Sequence, residues 1–309
     1  MIISHNRLIT VFKKKITTSI RVLFLTTLSI TAYTQSFITT WKSDNPGSSS
    51  ATQIKIPTTG SGYNYNIVWS EVGNPTNTGA LSNVLGGVTI DFPSPGTYKV
   101  EISGQFPRIY FNAASFRPDG DSHKLLTIEQ WGNIAWTSMS AAFSGCINLR
   151  VNASDVPDLS GVTDLSEMFY QATSFNDNIN NWDVSTITNM ARIFREAESF
   201  NQPLNLWDVS NVKDMTELFY FNPAFNKNIG NWDVSSVTNM SSTFAYATAF
   251  NQDISSWDVS AVTLMGGTFA GAASFNQNIG GWVVSNVTYL SGTFAGTTGF
   301  NQDISSWDV

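Results

Sequence analysis

The stretch ISSWDVSAVTLMGGTFAGA, residues 254–272, is the one whose reading decides the fold. Trp257 and Val259 flank Asp258, so in an extended segment the two apolar side chains share one face and the carboxylate takes the other. Ser260 is a favourable N-cap, and Val262, Met265 and Phe269 follow at the spacing of one helical face. After Ala272 the chain turns back through Phe275 and Asn276. The stretch therefore predicts a short strand, a short helix and a return loop.

The same unit recurs. Tryptophan stands at 182, 207, 232, 257, 282 and 307, and phenylalanine at 175, 200, 225, 250, 275 and 300. A second phenylalanine column runs through 169, 194, 219, 244, 269 and 294, and the ten residues FNQDISSWDV occur at 250–259 and again at 300–309. A fixed period in this range means stacked units, each too small to bury its own apolar face. The expected fold class is an α/β solenoid, leucine-rich-repeat-like, with parallel strands and short helices, behind a small N-terminal β-sandwich. Stacking aligns Asn176, Asn201, Asn226, Asn251, Asn276 and Asn301 into an inward hydrogen-bonding ladder that satisfies loop backbone groups. The alternation of Trp with Val places the tryptophans inside, as wedges of the core.

The pattern WDVSxVTxMxxxFxxAxxFNQxI resembles the repeat of the BspA-type leucine-rich repeat surface proteins of bacteria. The correspondence runs through Ile254, Trp257, Val259, Met265 and Phe269. Upstream, Leu126 to Leu149 resembles the entry segment of such arrays, and Met139 and Phe143 align with Leu165 and Phe169. The resemblance covers Pro107 to Val309. It implies a surface protein that binds host proteins, other cells or surfaces.

Four segments follow. Residues 1–35 read as a signal peptide: Arg7, Lys13, Lys14, Lys15 and Arg21 precede the apolar run VLFLTTLSITA, with cleavage after Thr34 or after Ser36. No transmembrane segment is expected in the mature chain. Residues 36–106 alternate β-branched and aromatic residues between turn signals, as a β-sandwich would. Their run PGTYKVEISG resembles the last strands of polycystic-kidney-disease-type (PKD) immunoglobulin-like modules, although WSEVG at 69–73 departs from the WGDG turn of that family. Residues 107–160 are the entry and divergent first repeats. Residues 161–309 are the repeats proper, read as truncated at the C-terminus.

Chemistry is sparse. The formal net charge of −7 disfavours a nucleic-acid partner. With one cysteine, Cys146, and two histidines in the chain, thiol–histidine catalysis, serine triads and zinc sites have few residues to draw on. The one outward column of charge is Asp183, Asp208, Asp233, Asp258 and Asp308, interrupted by Val283. Carboxylates stacked ~4.8 Å apart repel by about 1 kcal/mol in water. A bound cation such as Ca2+, a basic partner or the neighbouring hydroxyls would offset this. The plain alternative is a solvated acidic stripe. No cofactor is expected.

The reading is a non-catalytic secreted or cell-surface protein that works in adhesion or recognition, with the Asp column as ligand-facing stripe and an extracellular protein or glycan as partner. A targeting module of a larger secreted enzyme and a structural spacer are the alternatives. The uncapped last repeat predicts self-association.

Overall fold

The computed structural model describes residues 35–111 and 120–309. The leader expected over residues 1–35 lies, but for Gln35, outside them. Among the described residues eight strands are present: β1 Phe37–Lys42, β2 Gln53–Ile56, β3 Asn64–Glu71, β4 Asn74–Val84, β5 Val88–Asp91, β6 Thr97–Gln105, β7 Leu125–Gln130 and β8 Arg150–Val151. They form a six-stranded sheet in the order β4-β3-β6-β1-β7-β8 and a two-stranded sheet, β2-β5.

Alternation builds the core of this part. Tyr65, Ile67 and Trp69 of β3, Tyr98, Val100 and Ile102 of β6, and Phe37 and Trp41 of β1 point inward on every second residue. Ile54, Ile56 and Ile90 of the small sheet join the same apolar cluster. The phenyl ring of Phe92 stacks on Tyr98 at 3.7 Å between ring centres.

The large sheet does not stop at residue 106. β7, from the segment read as the entry of the repeats, pairs antiparallel with β1, and β8 pairs parallel with β7. The switch from antiparallel to parallel pairing therefore happens within the entry segment. Phe37 meets Trp131 at 5.8 Å and Trp136 at 5.2 Å, and Trp131 meets Trp182 of the first full repeat at 5.3 Å. One apolar core thus runs from the sheets into the stack.

The expected α/β solenoid is corrected here. Among the described residues there is no α-helix, only a single 3-10 turn at Ser122–Lys124. The repeats hold no named strand either. Their rungs touch through isolated parallel bridges, Asp164–Asn189, Asn189–Asp214, Asp214–Asn239, Asn239–Leu264 and Leu264–Tyr289. The described chain is β-structured with mixed pairing, and the units between Asp164 and Val309 are coils of turns.

The hydrogen bonds give the reason. In the segment read as a helix, the backbone N–H groups of Leu165, Glu167, Phe169 and Gln171 donate to the carbonyls of Asn189, Ala191, Ile193 and Arg195, one rung on. Those of Met168, Tyr170 and Ala172 close turns onto residues three back. A helix would send all of them four residues back along its own chain. The alternate direction requires left-handed backbone at every fourth residue: Glu167 and Gln171, Arg192 and Glu196, Glu217 and Phe221, Ser242 and Tyr246, Gly267 and Gly271, Gly292 and Gly296 all have positive φ. Repeated left-handed residues end a right-handed helix before it begins.

The apolar columns pack as stacked rings. Phe194, Phe219, Phe244 and Phe269 repeat at 5.6–5.7 Å between centres, and each lies 3.8–4.1 Å from the second phenylalanine of its own unit. Trp207, Trp232, Trp257 and Trp282 are buried, and each indole N–H donates to the carbonyl of Ile179, Leu204, Ile229 or Ile254 in the preceding unit, at 3.0–3.2 Å. The indole is thus both wedge and rung-to-rung tie.

Candidate functional site

The Asp column lies in turns, not on a sheet face. Trp182 and Val184 are buried and Asp183 between them is exposed, and the same holds around Asp208, Asp233 and Asp258. Each carboxylate caps the turn that follows. Asp183 Oδ1 accepts the backbone N–H of Ser185 at 3.1 Å and its hydroxyl at 2.6 Å. Asp208 does the same with Ser210 at 3.1 and 2.7 Å. Asp233 and Asp258 accept the N–H of Ser235 and Ser260, both at 3.0 Å. Ser260, read as an N-cap, is therefore the capped residue and Asp258 the cap. Asp308 is exposed on the last turn.

These bonds set the electrostatics. The Ser185, Ser235 and Ser260 side chains, then their backbone N–H groups, hold Asp183, Asp233 and Asp258 below the usual carboxylate range. At Asp233 the charge of Asp258 pushes the other way and is the smallest of the influences. The chain's own serines thus offset the stacking repulsion. A second row of turn caps runs through Asn178, Asn228, Asp253, Asn278 and Asp303, each accepting the N–H two residues on.

The asparagine column sits at a corner, half-buried to exposed. Asn176 Oδ1 accepts the N–H of Asn201 at 2.9 Å, and the pattern repeats from Asn201 to Asn226, Asn226 to Asn251, Asn251 to Asn276 and Asn276 to Asn301 at 3.0 Å. Gln202, Gln252, Gln277 and Gln302 donate to the same oxygens at 2.8–3.1 Å. Asp177 closes the row toward the sheet: its Oδ2 accepts the N–H of Val151 in β8 at 2.7 Å while Arg150 pairs with the same carboxylate.

One face was not singled out from the sequence. On the turn run, the outward positions carry Glu167 and Gln171 beside the buried Tyr170 on one rung, Arg192, Arg195 and Glu196 on the next, then Glu217, Tyr220 and Phe221, then Tyr246. Arg192 bridges Glu167 and Glu217 at 3.1 and 2.9 Å, and Arg195 pairs with Glu217 and Glu196. The Arg195 guanidinium lies 4.6 Å from the Tyr220 ring and 5.5 Å from Tyr170. Phe221 and Tyr246, both exposed, stack at 4.3 Å. The sequence signal is variation: these columns change type from rung to rung while the Phe and Trp columns beside them do not.

The remaining candidates are inward. Cys146 is buried, and burial raises its thiol well above the ordinary value. Burial lowers His123, whose carbonyl oxygen accepts the amides of Asn45 and Asn148 at 3.0 and 2.8 Å. Among the described residues no three His, Cys, Asp or Glu side chains gather as a metal-ligand set, and no helix is long and apolar enough to cross a membrane.

A family model described as "Mycoplasma protein of unknown function, DUF285" matches residues 137–238 and 220–309, the stacked part of the chain. No curated protein and no solved structure matches it.

Proposed function

The chain belongs to the DUF285 family, and from that premise we propose that it is a non-catalytic, exported recognition protein that binds an extracellular protein or glycan through the outer faces of its repeats. The resemblance of WDVSxVTxMxxxFxxAxxFNQxI to the BspA-type repeat supports the surface location. On the same reading, residues 36–106 are a PKD-like module that supports the stack.

The observation that carries the proposal is the contrast between inside and outside. Inward columns repeat: Phe, Phe and Trp on every rung. Outward columns on the turn run read Glu, Arg, Glu, Ser, Gly, Gly from Glu167 to Gly292 and Gln, Glu, Phe, Tyr, Gly, Gly from Gln171 to Gly296. The varied residues also sit at positive φ, where a non-glycine residue costs about 1–2 kcal/mol. Glycine fills those positions in the last two rungs, so side chains at Glu217, Phe221 and Tyr246 are retained at a cost in backbone energy, as at contact sites.

The experiment is a binding screen of the full chain on matrix-protein and glycan arrays, repeated with two sets of variants. Asp183→Asn, Asp208→Asn, Asp233→Asn and Asp258→Asn together remove the charge and keep every turn cap, because asparagine already fills that role at Asn178 and Asn228. Phe221→Gly with Tyr246→Gly strips the aromatic pair and relaxes the backbone. Loss of a retrieved ligand in either set assigns the face; retention in both refutes recognition through these surfaces.

A further inference from the structure

The large sheet has two edge strands, β4 and β8. β3, β6, β1 and β7 each pair on both sides, and the two-residue β8 is capped at Val151 N by Asp177 of the repeats. β4, Asn74–Val84, pairs with β3 alone. Among the described residues no strand lies along its other side, which leaves a row of backbone N–H and C=O groups facing outward.

Native sheets blunt such an edge with lysine, proline, bulges or very short strands. β4 has eleven residues. Pro75 and a break in register between the Ser70–Thr78 and Glu71–Asn74 pairs stand at one end, and Asn83, at φ 56, marks a second break at the other. Between them, Thr78 to Leu81 pairs in unbroken register and carries no charge and no proline. The neutral stretch is wider than the strand, since no Asp, Glu, Lys or Arg occurs from Val72 to Ile90. The one carboxylate beside the strand, Glu71, is held by the side-chain amides of Asn74 and Asn77 at 3.4 and 2.8 Å. The Trp69 indole of β3 covers its cross-strand partner Gly79 so closely that a Cβ there would meet the ring at 2.5 Å.

Apolar side chains gather at the same edge. The exposed large hydrophobic residues among the described part of 35–111 are Val68, Val72 and Leu85, at 48, 57 and 73%. Val68 is the β3 partner of Ala80, Val72 begins the turn into β4, and Leu85 follows its last residue.

We propose that the outer edge of β4 is a strand-addition site whose occupant is the β4 of a second copy of this chain, antiparallel about a two-fold axis. Charge selects that occupant. The chain carries −7 overall, so two copies repel over most of their surfaces. They can meet without repulsion where neither carries charge, and an uncharged edge is complementary to itself. A two-fold contact also satisfies both rows of backbone groups at once and lays Leu85 and Val72 of each copy beside the joined strands. This assembly stands apart from the recognition reading, which uses the repeats.

Sedimentation velocity of the full chain over a hundredfold concentration range tests it, together with amide exchange read by mass spectrometry. The expected result is a twofold rise in mass with concentration and slower exchange in 74–84 at the upper end. Ala80→Lys with Ser82→Lys places cations on two exposed side chains of the edge. It should return the chain to monomer while thermal unfolding stays unchanged, and Ala80→Thr with Ser82→Thr should still dimerise. Three outcomes overturn the proposal: a chain that stays monomeric throughout, with the outward-facing amides of 74–84 exchanging freely; a monomer whose outward-facing amides there are already protected, which means another part of the chain covers the edge; and a dimer that survives the lysines.

Discussion

Replacing Lys124 by Met tests how the first sheet is joined to the stack. Lys124 is fully buried, and the three N–H groups of its Nζ are shared among Ser49 O at 3.1 Å, Ser49 Oγ at 2.8 Å, Ser50 O at 2.8 Å and Gln53 O at 2.9 Å. The ammonium holds the loop between β1 and β2 onto the 3-10 turn that leads into β7. Asp121, also buried, organises the same loop from the other side: Oδ1 accepts the N–H of Ser49 at 3.0 Å, and Oδ2 accepts Ser49 Oγ and Lys55 N at 2.6 Å. Burial pushes the Lys124 ammonium down from the ordinary lysine value, while the charges of Asp121 and Asp44 draw it back up.

Methionine keeps the length of the side chain and removes every one of these donors. Ser50 O retains the N–H of Gln53, and the one Ser49 hydroxyl proton is shared between Gln53 O and Asp121 Oδ2. Ser49 O loses the Lys124 donor, and a buried carbonyl left without one costs about 1–3 kcal/mol. The carboxylate of Asp121 loses its nearest buried cation, which raises the total to about 3–5 kcal/mol. For a chain of this size that lowers the melting temperature by roughly 5–9 °C. Urea and thermal unfolding measure it directly. Asp121→Asn combined with Lys124→Met should cost less than the sum of the two single changes, because the charges are coupled. A loss below about 1 kcal/mol for Lys124→Met, or strict additivity in the double variant, would refute the account.

Acid sensitivity follows from the turn caps. Asp183, Asp233, Asp253 and Asp258 have folded values below the unfolded carboxylate value of about 3.9. Their contribution is therefore complete above that value and is lost as pH falls through the folded ones; changing all four to Asn should flatten this acid limb in thermal melts run from pH 6 to pH 2.5. Asn222→Ala should raise stability by up to about 1 kcal/mol in urea titration. It removes a buried, unpartnered Nδ2 from a core column that holds alanine at Ala172, Ala197, Ala247 and Ala272, although the Oδ1 bond to Phe225 N goes with it. Phe221→Gly should change stability by less than about 1 kcal/mol, because relief of left-handed strain offsets loss of the ring pair with Tyr246. Phe219→Ala, two residues away and fully buried, should cost about 3–5 kcal/mol in the same titration.

The columns were legible in the sequence because stacking converts a period into a contact. Once Phe194 and Phe219 stand twenty-five residues apart in equivalent units, their rings are neighbours whatever backbone lies between. Alternation likewise reported Trp257 and Val259 as inward and Asp258 as outward, although the segment is a turn approach and not a strand. Side-chain spacing says which face a residue takes, and that question has the same answer in several backbones.

The helix failed on the other question, where each N–H goes. Val262, Met265 and Phe269 satisfy a helical face, but Met265, Gly267, Phe269 and Gly271 donate to Tyr289, Ser291, Thr293 and Ala295 of the next rung. A cue was present. Gly267 and Gly271, then Gly292 and Gly296, recur four apart in otherwise constant units, which marks a required left-handed position better than it marks a weak helix. It stayed hidden because Glu217, Phe221, Ser242 and Tyr246 hold the same positions upstream and carry no such signature. The side chains that conceal the backbone geometry are the ones the recognition reading assigns to the ligand. On that reading, the local code for the fold gives way at this face to the demands of the surface.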